Sequence, residues 1–307
     1  PSSTYRATDF VAAARALGAE VVVASDRVSP AIDPGGVRAI ELPFDDPEGA
    51  AERLADLDDR GPVDAVVAVD DQGVVLAART AERLGLPHTP PDAAARTRDK
   101  RALRSALDAA EVPQPRWAAI DDLDALPDVG FPCVVKPVGL SGSQGVIRAD
   151  DSDAARVAAH RAATIACGEP VMVEEFVPGA EVAVEALARD GGLEVLAIFD
   201  KPDPLDGPYF EETLYVTPSR HPGAVLAEVV RVTTDAASAL GLTEGPVHAE
   251  LRITTTPSGP HVRVIDVAAR SIGGLCARAL RFGAGISLEE VILRHALGLP
   301  LEPLRRE

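Results

Sequence analysis

The stretch Cys133–Val146 reads Cys-Val-Val-Lys-Pro-Val-Gly-Leu-Ser-Gly-Ser-Gln-Gly-Val, and it limits the folds open to this chain more than any other. It opens as a strand, Cys133–Val135, and carries Lys136 at its end. A proline follows, then a loop holding Gly139, Gly142 and Gly145, before an extended pattern resumes at Val146–Ile147. Glycine lets a loop turn its backbone N–H groups closely around an anion. Lys136 places a compact positive charge beside that loop. The plain alternative is an ordinary hairpin turn, since a lone glycine-rich loop is a weak sign. Lysine usage adds weight: of 30 basic residues only Lys100, Lys136 and Lys201 are lysine, and one of them adjoins the loop.

A chain of 307 residues can bury a large core and is expected to form two or more domains. With 46% hydrophobic residues it is globular rather than disordered. The net charge of −18 argues against a nucleic-acid partner or an anionic membrane surface. Cys133, Cys167 and Cys276 are odd in number and lack metal-ligand spacing, so they read as reduced thiols of a cytoplasmic protein. No apolar run is long enough for a membrane span, and no secretory signal opens the chain. Met172 is the only methionine, so Pro1 is not read as a native start.

Strand and helix alternate over residues 1–88, which predicts a parallel α/β domain. Ser2-Ser3-Thr4 can cap a helix through Asp9–Leu17. Glu20–Ala24 reads as a fully buried strand, Val37–Leu42 as a second and Val63–Val69 as a third; helices are expected at Pro47–Leu57 and Gly73–Leu84. Such a unit usually opens with a strand, which is expected to precede residue 1. After the proline-rich joint Leu86–Pro91, helical pieces at Pro91–Thr97 and Asp99–Ala110 carry Lys100. A small α+β lid of about 116–178 follows, with an acidic helix near Asp121–Leu126 and a longer one at Asp151–Cys167. Residues 179–307 read as a largely antiparallel subdomain. One hairpin turns at Asp190-Gly191-Gly192 and another at Pro257-Ser258-Gly259; helices are expected at Val225–Leu240 and Ser287–Leu297.

Glu250 and Asp266 interrupt apolar strands joined by the second of these hairpins. Adjacent strands lie about 4.8 Å apart, so two such carboxylates can share a cation. The alternative is a structural ion pair of Glu250 with Arg252 or Arg270. His248 stands two residues before Glu250, on the same face.

The motif order resembles the ATP-grasp ligases from Thr89 onward, with residues 1–88 similar to that superfamily's preceding domain. The resemblance implies a pre-ATP-grasp α/β domain followed by an ATP-grasp fold of residues 89–307. It places Lys100 and Lys136 at the two phosphate-contacting lysines and Ser141, Gly142, Ser143, Gln144, Gly145 and Val146 at the phosphate loop. Glu174, Glu175, Phe176 and Val177 fall at the hinge that meets adenine, and Glu181 at the ribose. Glu250 and Asp266 fall on the acids that bind Mg²⁺, with Mn²⁺ as its substitute. Asp266–Gly274, preceded by His248-Ala249-Glu250, resembles the L-amino-acid (dipeptide) ligase branch, which implies catalytic roles for Arg270, Lys201 and His248. Ala268 departs from the asparagine that many relatives use as a further metal ligand. Relatives also run on past the position of Glu307.

The resemblance implies an ATP-dependent union of a small carboxylate with an amine, an amino acid among them, through an acyl phosphate. Arg270 would face the oxyanion, and Lys201 would reach the phosphates or substrate, or else pair with Asp203 at the surface. Tyr209, Phe210, Glu212 and Tyr215 are candidates for the pocket lining. No nucleic acid or membrane partner is expected, and a homodimer is compatible. Two other classes remain open: an ATP-grasp carboxylase or carbamoyl-phosphate-type enzyme, and a non-catalytic ATP-binding regulatory module.

Overall fold

The computed structural model describes residues 6–27, 37–56, 61–257, 259–283, 285–301 and 304. Helix α1 (Ala7–Ala16), strands β1 (Val22–Ser25) and β2 (Arg38–Glu41), and helices α2 (Pro47–Ala55) and α3 (Val74–Arg83) form the N-terminal α/β unit. β1 and β2 pair in parallel. Ser2–Thr4, the expected cap of α1, lie outside the described residues, and Arg6 holds the N-cap position. β1 is not fully buried: Val22 is 41% exposed at its start. Residues Val63–Val69, expected as a third strand, form no ladder with β1 or β2. Their apolar content still packs as an extended chain does, Val67 and Val69 on one cluster and Ala68 on another.

Helices α4 (Pro91–Arg96) and α5 (Lys100–Ala109) lead into the lid. Asp99 caps α5 by accepting from the N–H groups of Arg101 and Ala102, which fixes Lys100 at the first helical position. The lid sheet runs in the order β3 (Trp117–Ile120), β6 (Val171–Glu175), β4 (Cys133–Pro137), β5 (Ile147–Ala149), with α6 (Ser152–Ile165) on one face. Cys133, Val135, Val171 and Val173 face α6, so Lys136 and Glu174 face the other way. The expected helix at Asp121–Leu126 is a turn. Asp122 accepts from the Asp124 N–H, and a short acidic side chain that satisfies its own backbone competes with helix.

The central sheet is antiparallel in the order β10 (Gly259–Ala268), β9 (Gly245–Thr256), β7 (Ala180–Arg189), β8 (Gly192–Lys201). Helix α7 (Gly223–Leu240) covers one face and packs on Val182, Val184, Val247, Ala249, Leu251 and Val264. Full burial of each such valine or leucine side chain contributes about 1.5–3 kcal/mol. The alternate positions, Glu181 and Glu185 on β7 and His248, Glu250 and Arg252 on β9, therefore face the lid side. A bulge between Val264 and Asp266 does the same for β10. It puts both Val264 and Val267 on the α7 face and turns Asp266 to stand opposite Glu250. Short strands β11 (Arg281–Phe282) and β12 (Ile286–Ser287) and helix α8 (Leu288–Ala296) complete the chain, with Ser287 capping α8 at the Glu290 N–H. Among the described residues no helix is long and apolar enough to cross a membrane.

Candidate active site

A cleft of about 940 Å³ opens between the lid, the bare face of the central sheet and the end of the 62–70 segment. Its lid wall is the glycine loop. Gly145 has φ +72°, and a Cβ there would stand 2.8 Å from Pro137 Cγ, so backbone conformation and space both call for glycine. The Lys100 ammonium donates to the Leu140 carbonyl at 2.6 Å, and Arg98 to the Gly139 carbonyl at 3.0 Å. Lys136 is 4% exposed and lies 2.8 Å from the Glu174 carboxylate. The fully buried Arg104 grips the same carboxylate at 2.7 Å. Burial raises the Glu174 pKa, but Arg104 and Lys136 overcome it and bring it down to about 2. Burial pushes the Lys136 pKa down, opposed by Glu174. The two shifts are compatible because Glu174 serves two cations while Lys136 shares its anion with Arg104. We take the pair as charged.

Lys201 ends β8, opposite Glu181 in register. Its ammonium lies 2.8 Å from Glu181 and 3.0 Å from Glu250, and it also contacts Glu212. Carboxylate oxygens of these three glutamates come within 4.8 Å of one another. Burial lowers the Lys201 pKa and the three acids raise it, with a net rise. Glu250 falls well below its ordinary value: burial raises it, and Lys201 and His248 pull it down further. Glu212 moves up, because burial and the neighbouring Glu250 outweigh Lys201. Arg252 holds the other oxygen of Glu181 at 2.8 Å and lies 5.1 Å over the Phe176 ring.

His248 faces Glu185 across β7 and β9. Its Nδ1 is 3.4 Å from Glu185 and its Nε2 is 3.6 Å from Glu250. Burial alone would lower the His248 pKa, yet the two carboxylates raise it overall. Arg270 is held at 2.9 Å by Asp71, which comes from the N-terminal unit. Asp71 also lies 3.5 Å from Arg98. Burial raises the Asp71 pKa, and Arg270, Arg98 and Ser141 lower it below the usual carboxylate value. The fork of Arg270 is thus fixed at the junction of N-terminal unit, glycine loop and central sheet.

A family model described as "ATP-grasp domain" matches residues 129–279, and one described as "ATP-grasp N-terminal domain" matches residues 11–88. The chain is 30% identical to the L-amino acid ligase from Bacillus licheniformis and superposes on its crystal structure with a TM-score of 0.79, covering 94% of this chain and 71% of that one. The chain belongs to the ATP-grasp family. It is also 24% identical over 272 residues to the alanine–anticapsin ligase of Bacillus subtilis (strain 168), which covers 80% of this chain and 56% of that relative. An N5-carboxyaminoimidazole synthetase from Staphylococcus aureus, solved with ADP, matches at 15% identity and TM-score 0.75 over 98% of this chain and 76% of that one, and so shares the fold. The chain spans little more than half the length of the alanine–anticapsin ligases, 53% and 56%.

Within this ATP-grasp fold the residues singled out from sequence gather around one cleft. Lys100, Lys136, Ser141–Gln144, Val146, Glu174–Val177, Glu181, His248, Glu250, Asp266 and Arg270 line it. Gly145 and Lys201 lie behind the lining. Lys201 is neither at the surface nor paired with Asp203, whose carboxylate instead accepts from Thr213. Glu174 turns its side chain to Arg104 and Lys136, and Glu181 turns to Lys201 and Arg252. The N–H groups of Glu175 and Phe176 bond to the carbonyls of Arg116 and Pro132. The Asp266 carboxylate lies 3.9 Å from Lys100. Arg252 and Arg270, the alternative ion-pair partners of Glu250, pair instead with Glu181 and Asp71. Sequence reasoning passed over Asp71, Arg104 and Glu185, each a buried or half-buried partner of a residue it had named.

Proposed function

We propose that the chain carries the nucleotide and carboxylate sites of an ATP-dependent carboxylate–amine ligase, which forms an amide or peptide bond through an acyl phosphate and takes an amino acid as a substrate. The observation that carries this reading is the gathering of Lys136, the Lys100-bound glycine loop, Glu250, Asp266 and Arg270 around one cleft. The 30% identity to an L-amino acid ligase supports it.

The division of labour follows from the chemistry. A carboxylate is a poor electrophile, and phosphorylation gives it a leaving group. Phosphoryl transfer asks a protein mainly for positioning and charge stabilisation. Lys100, Lys136 and the loop N–H groups hold the phosphates of ATP. Glu250 and Asp266 are hard oxygen donors that pair in register on β9 and β10, a donor type that fits Mg²⁺, whereas Glu181 and Glu212 are turned to the Lys201 ammonium. Glu250 and Asp266 would hold the ion, which supplies neutralisation of charge on the phosphate oxygens. Ala268 adds no donor. Arg270, oriented by Asp71 and the Ser271 carbonyl, presents its fork to the oxyanion formed when the amine attacks. The glycine loop, tethered by Arg98 and Lys100, excludes water from the acyl phosphate.

The test is ADP release by the full-length protein with Mg·ATP across single and paired amino acids, with hydroxylamine present as a trap. ADP and hydroxamate that depend on an amino acid support carboxylate activation. ADP release that depends on bicarbonate moves the protein to the carboxylases. ATP binding without turnover on any acid makes it a binding module.

A further inference from the structure

Glu181, Glu212 and Glu250 gather around the end of β8 with the spacing of a metal site, their oxygens within 4.8 Å of one another. Most of those oxygens are already spent. Glu181 gives one to the Lys201 ammonium at 2.8 Å and the other to Arg252 at 2.8 Å. Glu212 contacts Lys201 through one oxygen and accepts from the Tyr215 hydroxyl at 2.6 Å through the other. Glu250 accepts from Lys201 at 3.0 Å through Oε1, the same oxygen that lies 3.6 Å from His248 Nε2. Within the cluster only Glu250 Oε2 makes no hydrogen bond among the described residues. Asp266 stands opposite Glu250 across β9 and β10.

We infer that Lys201 is a built-in cation: its ammonium takes the place that a divalent ion would hold among Glu181, Glu212 and Glu250, and it fixes Glu250 with only Oε2 left for metal, so that the cleft takes a single divalent ion. The inference rests on the ligase reading, which puts that ion on Glu250 and Asp266. Three carboxylates this close need a positive charge between them, and β8 delivers one covalently. The Lys201 side chain is 3% exposed, so little solvent screens it. A second divalent ion in the cluster would lie against this ammonium and repel it. It could enter only by displacing the ammonium, which would then stay buried without its anions. Nor does β10 offer a second ion more help: Ala268, two residues beyond Asp266 on the cleft wall, presents a methyl group. Lys201 acts on the metal through Glu250, which makes it a positioning residue, and its charge is committed to carboxylates rather than to phosphate.

The test counts Mn²⁺ on the full-length protein by electron paramagnetic resonance, with and without the β,γ-imido analogue of ATP. With the analogue the unaltered protein should hold one Mn²⁺ per chain, lost in Asp266→Asn. Lys201→Ala clears the space between the glutamates, and without nucleotide it should bind Mn²⁺ at least about tenfold more tightly than the unaltered protein. Adding Glu212→Gln to Lys201→Ala should remove that gain. A lysine that only holds the fold together would lower the melting temperature and leave the metal binding unchanged. Two ions on the unaltered protein overturn the inference, and this arm stands even if Lys201→Ala does not fold. A folded Lys201→Ala that gains no Mn²⁺ overturns it too. No Mn²⁺ on the unaltered protein, or one indifferent to Asp266→Asn, brings down the metal assignment of the ligase reading and this inference with it.

Discussion

Lys201→Met removes an ammonium while keeping the length of the side chain, and the structure sets the size of the effect. The Lys201 side chain is 3% exposed, and those of Glu181 and Glu250 are 8% and 22% exposed, so solvent screens these contacts weakly. Without the ammonium, Arg252 still neutralises Glu181 at 2.8 Å, and Glu250 keeps only His248 at 3.6 Å. Removing one partner of a buried ion pair costs about 3–5 kcal/mol. At roughly 2–4 °C per kcal/mol, for a domain of 150–250 residues, melting falls by roughly 6–20 °C. The pH dependence adds a second constraint. The raised pKa of Lys201 means its contribution is fully present below the unfolded value of about 10.4 and is lost only as pH rises through the folded one. The depressed pKa of Glu250 means its contribution is present above about 4.3 and is lost as pH falls through its folded value. In Lys201→Met the acids lose their cation and their folded pKa values rise. Protonation then favours the folded variant, and its deficit shrinks as pH drops from 8 toward 5. Because Glu212 and Glu250 interact, the first proton belongs to the pair. Urea denaturation followed by circular dichroism at several pH values measures this. A loss below about 1 kcal/mol that does not change with pH, as for an exposed pair, would refute the reasoning.

Glu250→Gln keeps the shape but removes one metal-binding charge, and ADP formation should fall by about 10²–10³-fold in a protein that circular dichroism shows still folded; full turnover removes Glu250 from the metal site. Lys136→Ala should weaken nucleotide binding about tenfold or more, equivalent to at least 1.4 kcal/mol, in a calorimetric titration; unchanged affinity detaches the glycine loop from the phosphates. Arg270→Ala should still bind nucleotide and yet form no amide product, and normal ligation would leave Arg270 as the structural partner of Asp71. Chelating Mg²⁺ should lower ATP affinity by at least about tenfold, and equal affinity with and without the ion would speak against Glu250 and Asp266 as its ligands.

Local periodicity made much of the site legible. Apolar residues at Val247, Ala249 and Leu251 set His248 and Glu250 on one face of β9, and the structure keeps them there. What the sequence hid was register. The β7–β8 hairpin carries a bulge between Glu185 and Ala186, so that Glu181 faces Lys201. Counted evenly from the turn, Glu181 would face Asp200, and Lys201 would belong to the other side of the sheet. That single residue separates a surface lysine from the centre of three glutamates. The β10 bulge acts in the same way on Asp266. Arg104 left a usable signal: it lies on α5 four residues from Lys100, between the buried Leu103 and Leu107, where a cation needs an anion. Asp71 left a weaker one, at the end of an apolar run in an α/β unit, where ligand crevices form. Its partner Arg270 is remote in sequence, and no local pattern joins them.

The charges of the cleft bear on the proposed metal. Six arginine and lysine side chains line it, against eight carboxylates. The cations are also already engaged: Lys136 by Glu174, Arg270 by Asp71, Lys100 beside Asp266. A polyanionic nucleotide brought here meets a wall whose fixed charge is net negative, in a setting where low dielectric strengthens repulsion. The arginines and lysines cannot all turn to phosphate without exposing buried acids, and Glu174 shows the constraint most clearly, because Arg104 and Lys136 together hold it ionised. A divalent cation on Glu250 and Asp266 relieves both problems at once. It adds positive charge where the lining carries an excess of acid and leaves the Glu174 and Asp71 pairs intact, so the acidic lining supports the proposed metal rather than opposing nucleotide binding.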